Sequence, residues 1–272
     1  MIVAENIHFS YSSNKILNGI DLQLNPGELT TLLGRNGEGK STLFRILTGE
    51  IQPELGSVFI NEQNISGLDW KYLATKRSVL PQESRIHFPL KVEEIVAMGR
   101  SPHKKSPSFD IDSINRAIEL CEIDHLRTRF YEHLSGGEKK RVQIARVLCQ
   151  LEKEDQSRSD GILFLDEPVN SLDILLQHRI MELLRHLADH GYAVFLILHD
   201  WNLAGIYSDR ILILGDGKIQ KEGIPSDVLH DHELENSFQV KVRTFPGDSG
   251  RVSGYSLSSL NSRLHKKNKE IT

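Results

Sequence analysis

Three places in this chain combine residues in patterns that could handle phosphate. Gly34, Arg35, Asn36, Gly37, Glu38, Gly39, Lys40 and Ser41 carry the spacing G-x-x-x-x-G-K-S, with Thr42 directly after. Glycines so spaced let successive backbone N–H groups curl around an anion without interference from Cβ atoms. A helix beginning there adds the partial positive charge of its N-terminus. Lys40 would then reach the β- and γ-phosphates of a nucleotide, and the Ser41 hydroxyl would complete the shell of a Mg²⁺ ion. Glu38 is at odds with this, because it puts a carboxylate into a loop built for anions. Turned to solvent it costs little; turned inward it lowers nucleotide affinity.

The second place is the apolar run Ile162–Leu165, which ends in Asp166 and Glu167. Ligands of open α/β sheets sit at the carboxyl ends of strands, where these acids fall. Successive side chains of a strand face opposite ways, so the two should do different work. Asp166 is placed to hold Mg²⁺, and Glu167 to polarise an attacking water as general base. The bland alternative is a pair of turn acids.

The third place is Leu134-Ser135-Gly136-Gly137-Glu138. Ser135 and Glu138 read as a capping box that opens an amphipathic helix. Beside that cap, Gly136 and Gly137 let backbone N–H groups approach an anion closely. Read blandly, this is an ordinary capped helix.

Such residues need a frame. Leu29–Leu33, Ile162–Leu165, Ala193–Leu198 and Ile211–Leu214 are short apolar runs bounded by turn residues, as buried strands are. Leu43, Ile46 and Leu47 follow the phosphate loop at helical spacing. Leu176, Ile180, Leu183, Leu184 and Leu187 share one helix face before Gly191. Buried strands alternating with amphipathic helices predict a parallel sheet covered on both faces. Residues 1–28 instead show strand pieces with polar turns, and Gly215-Asp216-Gly217 reads as a hairpin. Residues 84–160 are richer in helical pattern and charge, with Glu152–Asp160 an exposed polar loop. Beyond about residue 245 the chain becomes polar and basic, a solvated end.

With 272 residues, 39% hydrophobic and 26% charged, the chain reads as an ordinary globular protein. A net charge of −4 gives no push towards nucleic acid or an anionic membrane surface. No stretch reaches the ~18 apolar residues of a membrane span, and no signal peptide is visible. Cys121 and Cys149 alone supply thiols, both inside helical patterns, which fits a reducing compartment rather than a disulfide framework. His186 and His190 could clip a metal at i, i+4, but no third ligand is evident. They are read as solvated, as are His230 and His232.

Taken together, these motifs resemble the ABC ATPase family over about residues 2–240. That resemblance implies a phosphate-loop (RecA-like) α/β core with an antiparallel β subdomain and a helical signature subdomain inserted at about 84–160. The ATPase unit would span residues 1–244, and residues 245–272 would form a tail. It implies ATP and Mg²⁺ as cofactors and a homodimer with two ATP molecules between the chains. In such a dimer, Ser135, Gly136 and Gly137 would bind the γ-phosphate held by the other subunit. It further implies that Tyr11 stacks on adenine, that Gln82 senses Mg²⁺ and touches a permease, and that Asp173 crosses the dimer interface. His199 would contact the γ-phosphate.

The segment from Val92 to His103 is similar to that of importer subunits for iron chelates, haem and cobalamin. The insert Glu152–Asp160 and the run Leu198–Ala204 narrow the likeness to haemin import, with ferric siderophore import as runner-up. Partners so implied are an integral membrane permease dimer at the cytoplasmic face and, indirectly, a substrate-binding protein; nucleic acid is not among them. The rival classes are a non-transport ABC ATPase, whose tandem units or long coiled coils are not seen here, and a non-hydrolysing regulator, against which Glu167 and His199 both speak.

Overall fold

The computed structural model describes residues 1–83, 86, 88–104, 106–152 and 161–229, and the backbone of 240–246 and 252–259. The N-terminal part holds β1 (Ile2–Tyr11), β2 (Asn14–Leu24), β3 (Leu29–Gly34), α1 (Lys40–Leu47), β4 (Leu55–Ile60) and β5 (Gln63–Asn64). The middle holds α2 (Trp70–Lys76), β6 (Arg77–Leu80), α3 (Val92–Ala97), α4 (Pro107–Leu120) and α5 (Gly136–Leu151). Then come β7 (Ile162–Asp166), α6 (Ile174–Asp189), β8 (Ala193–Ile197), α7 (Trp201–Tyr207), β9 (Arg210–Gly215), β10 (Lys218–Gly223) and α8 (Pro225–Leu229). Last are β11 (Val240–Pro246) and β12 (Val252–Ser259).

The four apolar runs become neighbours. They lie in a six-stranded sheet of order β10-β9-β3-β8-β7-β6, parallel except for the hairpin strand β10. Both faces of this sheet are covered, and the pleat sends alternate side chains into two separate cores. Leu163, Leu165, Val194, Leu196, Ile211 and Ile213 enter one, shared with helices α3 to α7. Ile162, Phe164, Ala193, Phe195, Ile197, Leu212 and Leu214 enter the other, shared with α1 and a four-stranded antiparallel sheet of order β2-β1-β4-β5. There Phe44 of α1 stacks edge-on against Phe164, with ring centroids 5.8 Å apart. Each such buried aromatic contributes roughly 1.5–3 kcal/mol.

The helical middle is fastened internally. Arg100, 8% exposed, donates from Nη1 to the carbonyls of Cys149 (2.8 Å) and Glu152 (2.7 Å), and from Nε to Asp110 (2.8 Å). These bonds satisfy orphan carbonyls at the end of α5 and set a cation against its negative pole. Next to it, Gly99 is needed for contact: a Cβ there would stand 2.4 Å from the Arg146 carbonyl. At its far side this middle part touches the parallel core through an ion pair between Arg179 of α6 and Glu122.

Strand β6 was not foreseen. Arg77 and Ser78 make it look polar, yet both are buried, and the Ser78 hydroxyl donates to the Val147 carbonyl at 2.8 Å. Strands β11 and β12 pair antiparallel across residue 244, a hairpin that composition did not reveal. The basic residues of the last stretch, the loop from 153 to 160, His230 and His232 lie outside the described residues. The rings of His186 and His190 lie 4.0 Å apart, with no third partner: among the described residues, no group of three metal-capable side chains occurs. No helix of the described residues is long and apolar enough to cross a membrane.

Candidate functional site

The phosphate loop leaves the sheet at Gly34, where a Cβ would meet the Leu214 carbonyl of β9 at 2.6 Å. It returns as α1, whose N-cap Gly39 holds φ +96°. Between them Lys40, 7% exposed, folds its ammonium back onto the loop, donating to the Gly34 (2.8 Å) and Arg35 (2.9 Å) carbonyls. Burial holds its pKa below the usual lysine value, against the opposing pull of Glu167, Asp166 and Glu38. An arriving phosphate would offer this amine a stronger partner than two carbonyls.

Around the loop lies a cavity of about 390 Å³. It is lined by Asn36, Gly37, Gly39, Lys40, Ser41 and Thr42 from the loop and α1, and by Tyr11, Gln82, Asp166, Glu167 and His199 from elsewhere. Residues spread over most of the chain are thus gathered on one cleft. Tyr11, 48% exposed at the end of β1, packs edge-on against Phe9 with centroids 4.9 Å apart, which leaves a ring face available for stacking.

The two acids do not face opposite ways. Asp166 ends β7, but Glu167 takes φ +52°, a left-handed turn that brings its carboxylate round to the same cavity. Their surroundings still differ, as expected of different roles. Asp166 is 4% exposed and accepts a hydrogen bond from Ser41. Burial first, and the Glu167 charge second, push its carboxyl up to about 6. Glu167 instead accepts from the Asn170 amide and meets His199 Nε2. His199, expected on a γ-phosphate, therefore rests on the acid in this structure.

Glu38 is not among the residues lining this cavity, although its charge acts on Lys40. Its carboxylate accepts a hydrogen bond from the Asp216 backbone N–H at 2.8 Å.

The signature residues do not join this cleft. Ser135 caps α5 as read: its hydroxyl accepts from Glu138 N–H at 3.3 Å, and its own N–H donates to the Glu138 carboxylate at 2.8 Å. Gly136 has open space where a Cβ would be and borders a second cavity, also about 390 Å³, with Gln82, Lys140, Glu167 and Ser171. Gly137 packs on the Ser171 carbonyl, a Cβ there coming within 3.2 Å. Asp173 caps α6, accepting from Leu176 N–H at 2.9 Å. Gln82 borders both cavities.

Two contributors were not foreseen. Asn170 fixes Glu167, and its only sequence signal is a position three residues on, within one turn. Lys140, on the first turns of α5, sets a positive charge facing Asp166 and Glu167. In sequence it looks like any lysine of a helix surface.

A family model described as ABC transporter matches residues 17–170, more than half of the chain. The chain belongs to the ABC transporter ATPase family. Among curated relatives, a protein of Pseudomonas fluorescens named "Hemin import ATP-binding protein HmuV" is 41% identical over 242 residues, covering 89% of this chain and 94% of its own length. One of the same name from Rhizobium meliloti is 40% identical over 243 residues, covering 89% and 93%. Of solved structures, CbiO1 of Clostridium perfringens, described as part of the ABC transporter complex cbiONQ, superposes with a TM-score of 0.72 at 27% identity, covering 88% of this chain and 94% of that one. A dimeric bacterial ABC transporter cassette, MJ0796, gives 0.73 at 26% identity, covering 83% and 99%. The ATPase cassette therefore has the family's α/β core, β subdomain and helical subdomain, and it binds and hydrolyses ATP.

Proposed function

We propose that two copies of this cassette close head to tail on two ATP molecules beneath a membrane permease, at its cytoplasmic face, and so drive the import of haemin. The observation that carries the dimer is that Gly136 borders a second cavity and no signature residue lines the one around the phosphate loop of its own chain. The exposed N-terminus of α5, with Ser135 and two glycines, has no phosphate to bind unless another copy presents one. The cargo reading is supported by the relatives named for haemin import, which match nearly the whole cassette, and by the run from Leu198 to Ala204.

Ser41, Gln82 and Asp166 fit Mg²⁺. They offer a hydroxyl, an amide oxygen and a carboxylate, the hard oxygen donors this ion takes. Burial and the Glu167 charge raise the Asp166 carboxyl to about 6 despite Lys140 and Lys40 nearby, so a further cation beside it would be favoured. A bound Mg²⁺ would neutralise phosphate charge and that of Asp166.

The residues of the chain then divide the work. Tyr11 stacks on the base, and the N–H groups of the loop and Lys40 hold the phosphates. Glu167, fixed by Asn170, orients a water and takes its proton as the water attacks the γ-phosphorus and the bond to the β–γ bridging oxygen breaks, ADP leaving with that oxygen. His199 shifts from Glu167 to the γ-phosphate as that charge arrives. The partner copy's signature closes the far side, and closure moves the permease; hydrolysis releases it.

The test is growth under iron starvation of a strain lacking the gene, supplied with haemin, a ferric siderophore or inorganic iron. Loss of growth on haemin alone, restored by the wild-type gene and not by Lys40→Ala, is the expected result. Normal growth on haemin with failure on the siderophore would overturn the cargo and leave the motor standing.

A further inference from the structure

Glu38 is the one residue of the phosphate loop whose charge a nucleotide does not call for, and the structure gives it other work. The β9–β10 turn is Asp216-Gly217, with φ of +50° and +71°, and pairing resumes between Gly215 and Lys218. The Asp216 N–H is therefore outside the ladder and needs an acceptor from elsewhere. The Glu38 carboxylate supplies it at 2.8 Å.

That turn is itself fixed. The Asn18 N–H of β2 donates to the Gly217 carbonyl at 2.8 Å, and Gly217 lies so close that a Cβ would stand 2.7 Å from the Ile16 carbonyl. The side chain of Ile16 in turn covers Gly39, where a Cβ would come within 2.7 Å of its Cγ2. Segments near residues 17, 38 and 216 thus meet at the loop, with Ile16 and Gly39 also lining its cavity.

We propose that Glu38 is a positioning residue: its carboxylate ties the phosphate loop to the β9–β10 turn and holds the loop in the shape that accepts a nucleotide. The tie also engages the carboxylate outside the cavity lining, so a like charge is present in the loop at small cost. This inference rests on residues 34–41 being the nucleotide site.

The test compares Glu38→Ala with Glu38→Gln, using binding of a non-hydrolysable ATP analogue at fixed salt. Alanine removes acceptor and charge together; glutamine keeps an acceptor oxygen and removes the charge. The tie predicts that Glu38→Ala binds about twofold more weakly, the roughly fivefold loss of one modest hydrogen bond being partly offset by the lost repulsion. Glu38→Gln should bind about two- to threefold more tightly, since the acceptor stays and the repulsion goes. Hydrogen exchange of the Asp216 amide gives a second readout: protected in wild type and Glu38→Gln, and about tenfold faster in Glu38→Ala. Tighter binding by both variants would reduce Glu38 to a like-charge penalty and overturn the proposal. So would equal weakening by both, or an unchanged Asp216 exchange rate in Glu38→Ala. Lys40→Ala serves as the reference. If it abolishes analogue binding, any failure belongs to the Glu38 proposal alone; if it binds as wild type does, the nucleotide-site reading falls as well.

Discussion

Replacing Gly39 by alanine separates two costs that the structure assigns to one position. The first is backbone. Gly39 sits at φ +96°, where an L-residue pays about 1–2 kcal/mol. The second is space. The added Cβ would stand 2.7 Å from Ile16 Cγ2 and 3.1 Å from Leu17 Cδ2, so β2 must shift or its side chains must leave their rotamers. Overpacking of that kind costs about 1–3 kcal/mol. Together they amount to roughly 2–5 kcal/mol, which at about 2–4 °C per kcal/mol lowers the Tm by about 4–20 °C. Thermal unfolding in the absence of nucleotide measures this directly. Repeating the substitution in an Ile16→Ala background isolates the part of the spatial share due to Ile16, because that background lacks the nearest atom. There the cost of Gly39→Ala should fall by the share of Ile16, leaving the backbone cost of about 1–2 kcal/mol and the contact with Leu17 Cδ2 at 3.1 Å. An equal cost in both backgrounds would show that Ile16 does not press on Gly39. A Tm change below about 1 °C would refute the backbone argument too.

Glu167→Gln keeps the shape of the side chain and an acceptor for Asn170 but removes the base. Turnover measured by phosphate release should drop by about 10²–10⁴-fold, with analogue binding retained and the closed dimer favoured; rapid multiple turnover would end the role given to Glu167. Ser135→Ala removes the helix cap, costing about 1 kcal/mol in unfolding experiments, and should also abolish ATP-dependent dimers in light scattering. Dimers that persist despite the lower stability would leave Ser135 a cap and nothing more. Burial pushes both Cys121 and Cys149 up to about 12, against 9.0 for an ordinary thiol. The folded chain therefore keeps these protons where the unfolded chain loses them, and stability falls as pH rises between about 9 and 12. At pH 8 a thiol-specific chromogenic reagent should react at least about a hundredfold more slowly with the native protein than in denaturant, because native thiolate is scarce and buried. Rapid native labelling of both would contradict their burial.

The parts of this molecule that were legible beforehand are those governed by short-range rules. Apolar runs such as Phe164 and its neighbours announce strands because both faces of the sheet are dry. The Ser135–Glu138 box is read from four residues because its bonds close within one turn. Gly191 ends α6 as its position suggests, at φ +95° with its N–H on the Ala188 carbonyl at 2.8 Å. What could not be read depends on distant chain. Arg77 and Ser78 form a strand because β7 supplies a ladder and α5 an acceptor, neither visible locally. Alternation along a strand misplaced Glu167, since its positive φ ends the alternation one residue early. Lys140 and Glu38 acquire partners only when segments far apart in sequence are brought together, and the direction of Glu38 was open until Asp216 was found beside it.

The bonds of Arg100 have a mechanical consequence. They lock the stretch around Met98–Arg100 to the C-terminal carbonyls of α5, while Gly99 removes any clearance between the two. The 16 residues of α5 form a stiff rod about 24 Å long at 1.5 Å per residue. A grip on the 92–103 segment is therefore a grip on one end of a lever whose other end carries Ser135. The exposed Arg179–Glu122 pair links this helical part to α6. Force applied at one end has little slack to take up before it reaches the other.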